Sequence, residues 1–372
     1  MNYPLLPYSQ LVFEMLKTQP DVYTYRSITR IPQGEVNVSR IRQAVDVALR
    51  NHPVFSMVVD EQGLQHFDAQ VNPMCGQYCN VNIWEDGTCV FVRCAYNRIL
   101  GDAISGMVLL EDIIRAYKGL PLVPDNYLTY LQQVEEHKRS ERYTADRLWL
   151  EEHFGNIQCP VHPKTDAPLS GLEQAVEGTC MEDYSDLREA LQRLADEHLL
   201  SLTAFFSLAA VLAMTDYNNT DEAALTWAYE GRETENEQRI YGSLHRDVPF
   251  KINRAQATRD DLLRQTRKAM REGVAHSSYP FTLTPPHTEV WNYALNVLVQ
   301  PVPEAYEVTL PFKCETLPDD EQPERAYALL DVEIYDSAKL AVVYRYSATH
   351  YNEQSIRKFA NLVRKYAEWL TE

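Results

Sequence analysis

No stretch of this 372-residue sequence stays apolar for as long as a bilayer requires. The longest such run, Leu199 to Met214, has 16 residues and contains serine and threonine, whereas a membrane-spanning helix needs about 20 apolar residues. It reads as a buried helix. Basic residues are scarce: 35 Lys and Arg face 53 Asp and Glu, a net charge of −18. A nucleic-acid binder normally carries a basic face, and docking on anionic lipid needs one too, so neither partner is expected. The N-terminal "MNYPLLPYSQ" lacks the charged start and apolar core of a signal peptide. The seven cysteines (75, 79, 89, 94, 159, 180 and 314) are odd in number and irregular in spacing. Cys75 and Cys79 form a CxxxC with no second pair and no neighbouring histidines, which argues against zinc. A reduced, cytoplasmic setting fits best.

Chemical motifs are missing as well. There is no GxxxxGK or GxGxxG phosphate loop, no HExxH and no GxSxG. "HRD" at His245–Asp247 resembles a kinase catalytic loop. The asparagine required five residues after the aspartate is Ile252, and no glycine loop or DFG accompanies it. ATP chemistry is therefore not carried by this chain.

The sequence does hold regular alternation of element types. Apolar residues recur at helical spacing in 40–52, where Ser39 is the expected cap, in 105–119, 185–198 and 258–273, and in 352–370 behind a capping Asn352. β-Branched and aromatic runs at 88–96, 224–229, 291–299, 328–336 and 338–346 predict strands, the last two forming a hairpin around Ser337. This mixture in both halves predicts an α+β fold. The proline-rich, aperiodic 157–171 is the expected seam, dividing the chain into 1–160 and 161–372. The charged 136–143 reads as a solvated helix face and 317–325 as an acidic surface loop.

Several stretches, in order, resemble the condensation domain of nonribosomal peptide synthetases, part of the chloramphenicol acetyltransferase-like superfamily of thioester-dependent acyltransferases. "YPLLPYSQLVFEM" looks like the family's "PLSPAQ" opening, and "IRQAVDVALRNHPVFSMVV" is similar to "LxxALxxLxxRHxxLRTxF". "NRILGDAISGMVLLEDIIRAYKG" parallels "HHxxxDGxSxxxLxxDIxxxYxG", and "RLWLEEHFG" resembles "YWxxxLxG". "ALTWAYEGRE" resembles the family's strand and "GR", "YGSLHRDVPFKI" its "GxFxNxxPxR", and "LLRQTRKAMREGVAHSSYPF" its "LLxxVRxxxxxAxxHQxxPF". The resemblance runs from Tyr3 to Trp369. It implies two chloramphenicol acetyltransferase-like lobes in a V-shaped pseudo-dimer with a tunnel between them. No cofactor of its own is expected. The substrates would be phosphopantetheine thioesters presented by peptidyl or acyl carrier domains, with an adenylation domain as a further neighbour. A monomer is expected, because the two lobes already mimic a dimer.

The central motif departs from the family. Asp102 and Ser105 hold their places, but the two histidine positions are Asn97 and Arg98, and the glycine is Ala103. In the family the second histidine is the presumed base, and the aspartate is mainly structural. Arginine has a pKa above about 12 and no lone pair to offer, so Arg98 cannot accept a proton. It can donate hydrogen bonds to an oxyanion or carboxylate. The arginine of "RHxxLR" is Ser56, although His52 is kept, so Asp102 is expected to pair with Arg98 itself. Arg246 stands at the asparagine of "GxFxNxxP", and His245 beside it is a candidate imidazole. Ser105, His245 and Arg246 are thus the candidate substrate-binding residues. The expected function is a condensation-like protein that binds a carrier-tethered substrate or a partner enzyme without the usual base. The alternative is an acyltransferase that still forms an amide or ester by positioning alone.

Overall fold

A computed structural model describes residues 2–19, 22–169, 175–281, 288–302, 311–317, 326 and 328–372. The chain forms two compact units, each of mixed α and β structure. The first comprises Met1–Lys138, Glu230–His245 and Pro303–Pro323, and the second Arg139–Tyr229, Arg246–Val302 and Glu324–Glu372.

The first unit is built on the strands Thr24–Pro32, Cys89–Asn97 and Cys79–Glu85, which pair antiparallel in that spatial order. A short strand, Glu315–Leu317, extends the sheet on the Thr24–Pro32 side. Alternation sets one face apolar: Cys79, Val81 and Ile83 are buried while Asn80, Asn82 and Trp84 are exposed. The apolar face packs on the helix Val38–Asn51, whose Ile41, Ala44, Val45, Ala48 and Leu49 form one stripe. The cap of this helix is Asn37, whose side chain accepts from Arg40 N–H (2.9 Å), rather than Ser39. Ser39 lies inside the first turn, two residues too late to reach an unpaired donor.

The second unit carries a six-stranded sheet. The predicted hairpin is there as Leu330–Asp336 and Leu340–Ser347, turning through 337–339. The apolar run becomes the helix Leu202–Asn218, buried throughout Ala204–Thr215 in the core of this unit. Among the described residues no single helix is long and apolar enough to cross a membrane, although this helix and 185–198, bent by 103°, pass that test as a pair. The expected strand at 291–299 is shorter. Only Asn296–Val299 is extended, since Trp291 ends a helical turn and packs on Phe154 and Phe281.

The two units are not unbroken halves meeting at residue 160. The first junction falls at Lys138–Arg139, inside the charged 136–143, which is a break between the helices Tyr127–His137 and Glu141–Phe154 instead of one solvated face. The latter helix joins the second unit because its Leu150 and Phe154 pack on Phe281. Conversely, Ile240, Tyr241 and Leu244 bury themselves in the core of the first unit. The expected acidic loop lies outside the described residues from Pro318 onward.

Candidate functional site

The motif begins where the strand Cys89–Asn97 ends. Asn97 is buried and its amide is fully used. It donates to Val22 O (2.7 Å) and Thr24 Oγ1 (2.9 Å) and accepts from Ile99 N–H (3.0 Å), so it ties the turn down. Gly101 has no room for a side chain, because a Cβ there would lie 2.6 Å from Tyr241 Cε1. The helix Ala103–Lys118 then starts, with Asp102 as its cap and Ser105 completing a capping box. It ends at Gly119, whose φ of +74° suits glycine.

Asp102 is enclosed by donors. Ser105 N–H is 3.0 Å from Oδ1, and Leu244 and His245 N–H lie 3.0 and 3.2 Å from Oδ2. Arg232 grips both oxygens at 2.8 and 2.9 Å in a bidentate pair, with both side chains almost wholly buried. Burial alone would push this carboxyl up; the Arg232 guanidinium and the Ser105 N–H outweigh it and hold it down at about 2. The expected Asp102–Arg98 pair is therefore not formed. Its place is taken by Arg232, 130 residues away in sequence.

Ser105 is fully buried. Its Oγ lies 2.9 Å from both Asp102 Oδ1 and Gly242 O, and it accepts from Gly242 N–H at 3.1 Å. With every lone pair and its one hydrogen engaged, it braces the motif and has no face open to a substrate.

Arg98 points elsewhere. Its guanidinium carbon sits 5.4, 5.8 and 5.9 Å from the ring centres of Tyr8, Tyr23 and Tyr25, a half-buried cage of π faces. Tyr23 holds its place with φ +53° and accepts Arg98 N–H on its carbonyl at 2.9 Å. A left-handed conformation costs a residue with a Cβ roughly 1–2 kcal/mol, so the packing around Arg98 sustains local strain.

His245 joins this cluster, its ring edge-on to Tyr8 at 4.1 Å. Burial pushes its imidazole pKa down to about 3, helped by the positive charges of Arg98 and Arg232 against the pull of Asp102. Arg246, one residue on, begins the strand Arg246–Asn253 of the second unit and donates to Ser277 Oγ at 3.1 Å. Thus Asn97, Arg98, Asp102, Ser105 and His245 assemble in the first unit, whereas Arg246 serves the second.

His52, retained from the motif upstream, is buried between two carboxylates. Its Nδ1 lies 2.7 Å from Asp125 and its Nε2 3.3 Å from Asp112. Burial pulls the imidazole pKa down, yet these carboxylates raise it above the ordinary value. Asp125 also accepts from Tyr241 N–H (3.0 Å), so His52 helps anchor the same 230–245 segment that carries Arg232. A cavity of about 570 Å³ opens beside the motif turn, lined by Phe13, Leu16, Lys17, Tyr78, Asn80 and Asn97 among others.

The condensation-domain family model matches residues 98–371. The chain belongs to the condensation-domain family. It is similar to surfactin synthase subunit 1 of Bacillus subtilis strain 168, 24% identical over 195 residues, which is 50% of this chain and 5% of that one. The chain thus spans a small part of the curated relatives it matches. In fold it is similar to the EpoB cyclization-docking bidomain from Sorangium cellulosum, with TM-score 0.78 and 13% identity over 100% of this chain and 84% of that one. It is also similar to the X-domain from teicoplanin biosynthesis, with TM-score 0.79 and 14% identity over 99% and 95% of the two chains.

The residue that sequence reading missed is Arg232. Its signal was present in the "GR" of Gly231–Arg232, but only the folded chain lays that pair against Asp102.

Proposed function

We propose that this condensation-domain protein serves nonribosomal peptide biosynthesis by binding a carrier-tethered acyl or aminoacyl thioester, or a partner enzyme, without general-base catalysis. One observation supports this above others. The base position holds Arg98 in a tyrosine cage, and the imidazole beside it, His245, is kept uncharged with a pKa of about 3. An effective base has a pKa near working pH, and neither group meets that need. The cavity beside Asn97 offers room for the end of a phosphopantetheine arm. The fold relative from teicoplanin biosynthesis has been solved in complex with OxyB, which gives the partner-enzyme form of this reading a counterpart.

A second reading is favoured by the intact scaffold around Asp102, which is what a loop that still positions substrates would keep. A free α-amine has a reference pKa of about 7.7–8.0 and is substantially uncharged near pH 8, so positioning alone supports attack on a thioester.

One assay separates the two. The protein is mixed with an acyl-loaded donor carrier and an aminoacyl-loaded acceptor carrier, and intact-protein mass spectrometry follows the product. The expected result is carrier binding with no product above the protein-free control. Turnover that falls in a folded Asp102→Ala variant overturns the binding-only reading. The double variant Asn97→His/Arg98→His tests whether only the base was lost, in which case activity appears.

A further inference from the structure

His52 closes the helix Val38–Asn51 and is almost wholly buried. Each of its ring nitrogens faces a carboxylate, Nδ1 at 2.7 Å from Asp125 Oδ2 and Nε2 at 3.3 Å from Asp112 Oδ2, and both carboxyl groups are as buried as the ring. A neutral imidazole carries one N–H, so one lone pair would stand against a buried anion. The geometry therefore calls for the imidazolium. Its two contacts are unequal. Nδ1 makes a hydrogen bond, whereas Nε2, among the described residues, is at ion-pair distance without hydrogen-bond alignment. The Nε2 proton is the one that leaves first. Asp112 has further support from Asn51 Nδ2 (2.7 Å) and from Arg239 (3.4 Å), which also pairs with Glu111 at 2.5 Å. Asp125 does not. Among the described residues its other donors are the uncharged N–H groups of Tyr127 (2.8 Å) and Tyr241 (3.0 Å). The rings of Tyr241 and Phe55, with centres 5.4 and 6.3 Å from the imidazole, complete the enclosure. Burial pushes the Tyr241 hydroxyl pKa well up, so it adds no charge.

This clasp meets the motif at one peptide plane. Tyr241 N–H donates to Asp125, and the Ile240 carbonyl of the same plane accepts from Arg232 at 3.3 Å. One residue on, Gly242 O accepts from Arg232 at 3.1 Å, and Gly242 N–H donates to Ser105 Oγ. Leu244 and His245 N–H then reach Asp102. The 230–245 segment thus bears on His52 through Asp125 and on Asp102 through Arg232. Loss of the Nε2 proton leaves Asp125 a buried anion without a cation. That is costly while the segment shuts out water, and less so once the segment lifts and solvent reaches the carboxylate.

We propose that His52 is a pH-sensitive latch on the motif loop. Charged, it holds the 230–245 segment closed with Arg232 on Asp102; neutral, it lets that segment open and loosens the clamp. Burial pulls the imidazole pKa down, yet the two carboxylates carry it above the ordinary 6.5. Closure is therefore complete below pH 6.5 and declines as pH rises through the raised value. The latch governs when the loop is held in form, and it is independent of whether that loop catalyses or only binds.

The test is amide hydrogen exchange of the full chain from pH 6 to 9, read by nuclear magnetic resonance and corrected for the intrinsic rate at each pH. The amides of Tyr241, Gly242, Leu244 and His245 are expected to lose about tenfold in protection across that range. Those of the strand Cys89–Asn97 in the same unit and of Leu330–Asp336 in the second should keep theirs. His52→Gln, which cannot carry the charge, should show the lower protection at every pH. Asp125→Asn, which removes the anion but keeps an acceptor for Tyr241, should show the higher protection at every pH. Spectra of ¹⁵N-labelled histidine should find His52 mostly an imidazolium at pH 6.5. A ring mostly neutral at that pH, wild-type protection that does not change with pH, or a loss shared equally by the strand amides overturns the latch. So does a His52→Gln segment as well protected as the wild type at pH 6. Should His52→Gln not fold, the wild-type titration and Asp125→Asn decide the question.

Discussion

Two buried aspartates stitch the chain, one in each unit, and they do so by different means. Asp102 in the first unit and Asp146 in the second both bind residues 130 positions further along. Asp102 is clamped by a guanidinium that is itself buried, with main-chain donors filling the remaining lone pairs. Asp146 instead meets His276 Nδ1 at 2.8 Å, the Ser278 hydroxyl, and Arg142 at 2.9 Å. Arg142 is 58% exposed and His276 25% exposed. The first arrangement closes a motif loop and is dry. The second joins the helix Glu141–Phe154 to the end of the helix Arg259–Ala275 and is open to water at its edge. A carboxylate with a dry, permanent cation is costly to strip, whereas one with wet partners can recruit solvent.

The largest expected effect follows from that contrast. Arg232→Met leaves Asp102 charged and buried beside its backbone donors, and should cost about 3–5 kcal/mol. His276→Ala removes one of several partners of Asp146 and should cost about 1–2 kcal/mol. Urea unfolding of both variants measures the gap; equal losses would erase the distinction drawn between the two carboxylates. Next in size, Gly101→Ala should cost about 1–3 kcal/mol by driving a Cβ into Tyr241 and Ser105. A control such as Gly34→Ala, where a Cβ meets nothing within 4 Å, should show no comparable loss.

Acidity sharpens the comparison further. The Asp102 carboxyl sits at about 2 against an ordinary 3.8. Its contribution is present above pH 4 and is lost only as pH falls through about 2. His245 behaves in the opposite sense to a paired histidine. Its folded pKa of about 3 lies below the ordinary 6.5, so the unfolded chain takes up the proton first and stability declines as pH falls from 6.5 toward 3. His52, raised by Asp112 and Asp125, contributes stability that is full below its unfolded pKa and is lost as pH rises through the folded one. Stability measured from pH 5 to 8 in His245→Gln should therefore show a shallower acid limb than wild type. In His52→Gln, the stability lost relative to wild type should be larger at pH 5 than at pH 8. A His52→Gln loss independent of pH would remove the carboxylate pairing from this account.

Much of the motif was legible before folding was considered. Asp102 and Ser105 could be placed by register against neighbouring motif residues, and the loss of a base at Arg98 follows from the chemistry of arginine alone. The Leu199–Met214 run reads correctly as a core helix because its length falls short of a bilayer and its composition leaves no polar face. What could not be read were partners across long loops. Asp102 was assigned to Arg98, four residues away, because nearness in sequence was the available criterion. The actual partner, Arg232, is supplied by a segment that leaves its neighbours in the chain to pack with the first unit. The seam was misplaced for a related reason. Prolines at 160–168 mark irregular backbone, but the division between units depends on what Leu150 and Phe154 pack against.

Sequence by itself determined the α+β alternation, the family and the absence of a histidine at the motif's base position, since each rests on local periodicity, motif order or the chemistry of a single side chain. Tertiary structure decided that Arg232 clamps Asp102, that Ser105 is sealed, and that His245 stands beside Arg98 as an uncharged ring. Those facts depend on burial and on contacts between residues more than a hundred positions apart, where desolvation and neighbouring charge, not residue type, set what a side chain can do.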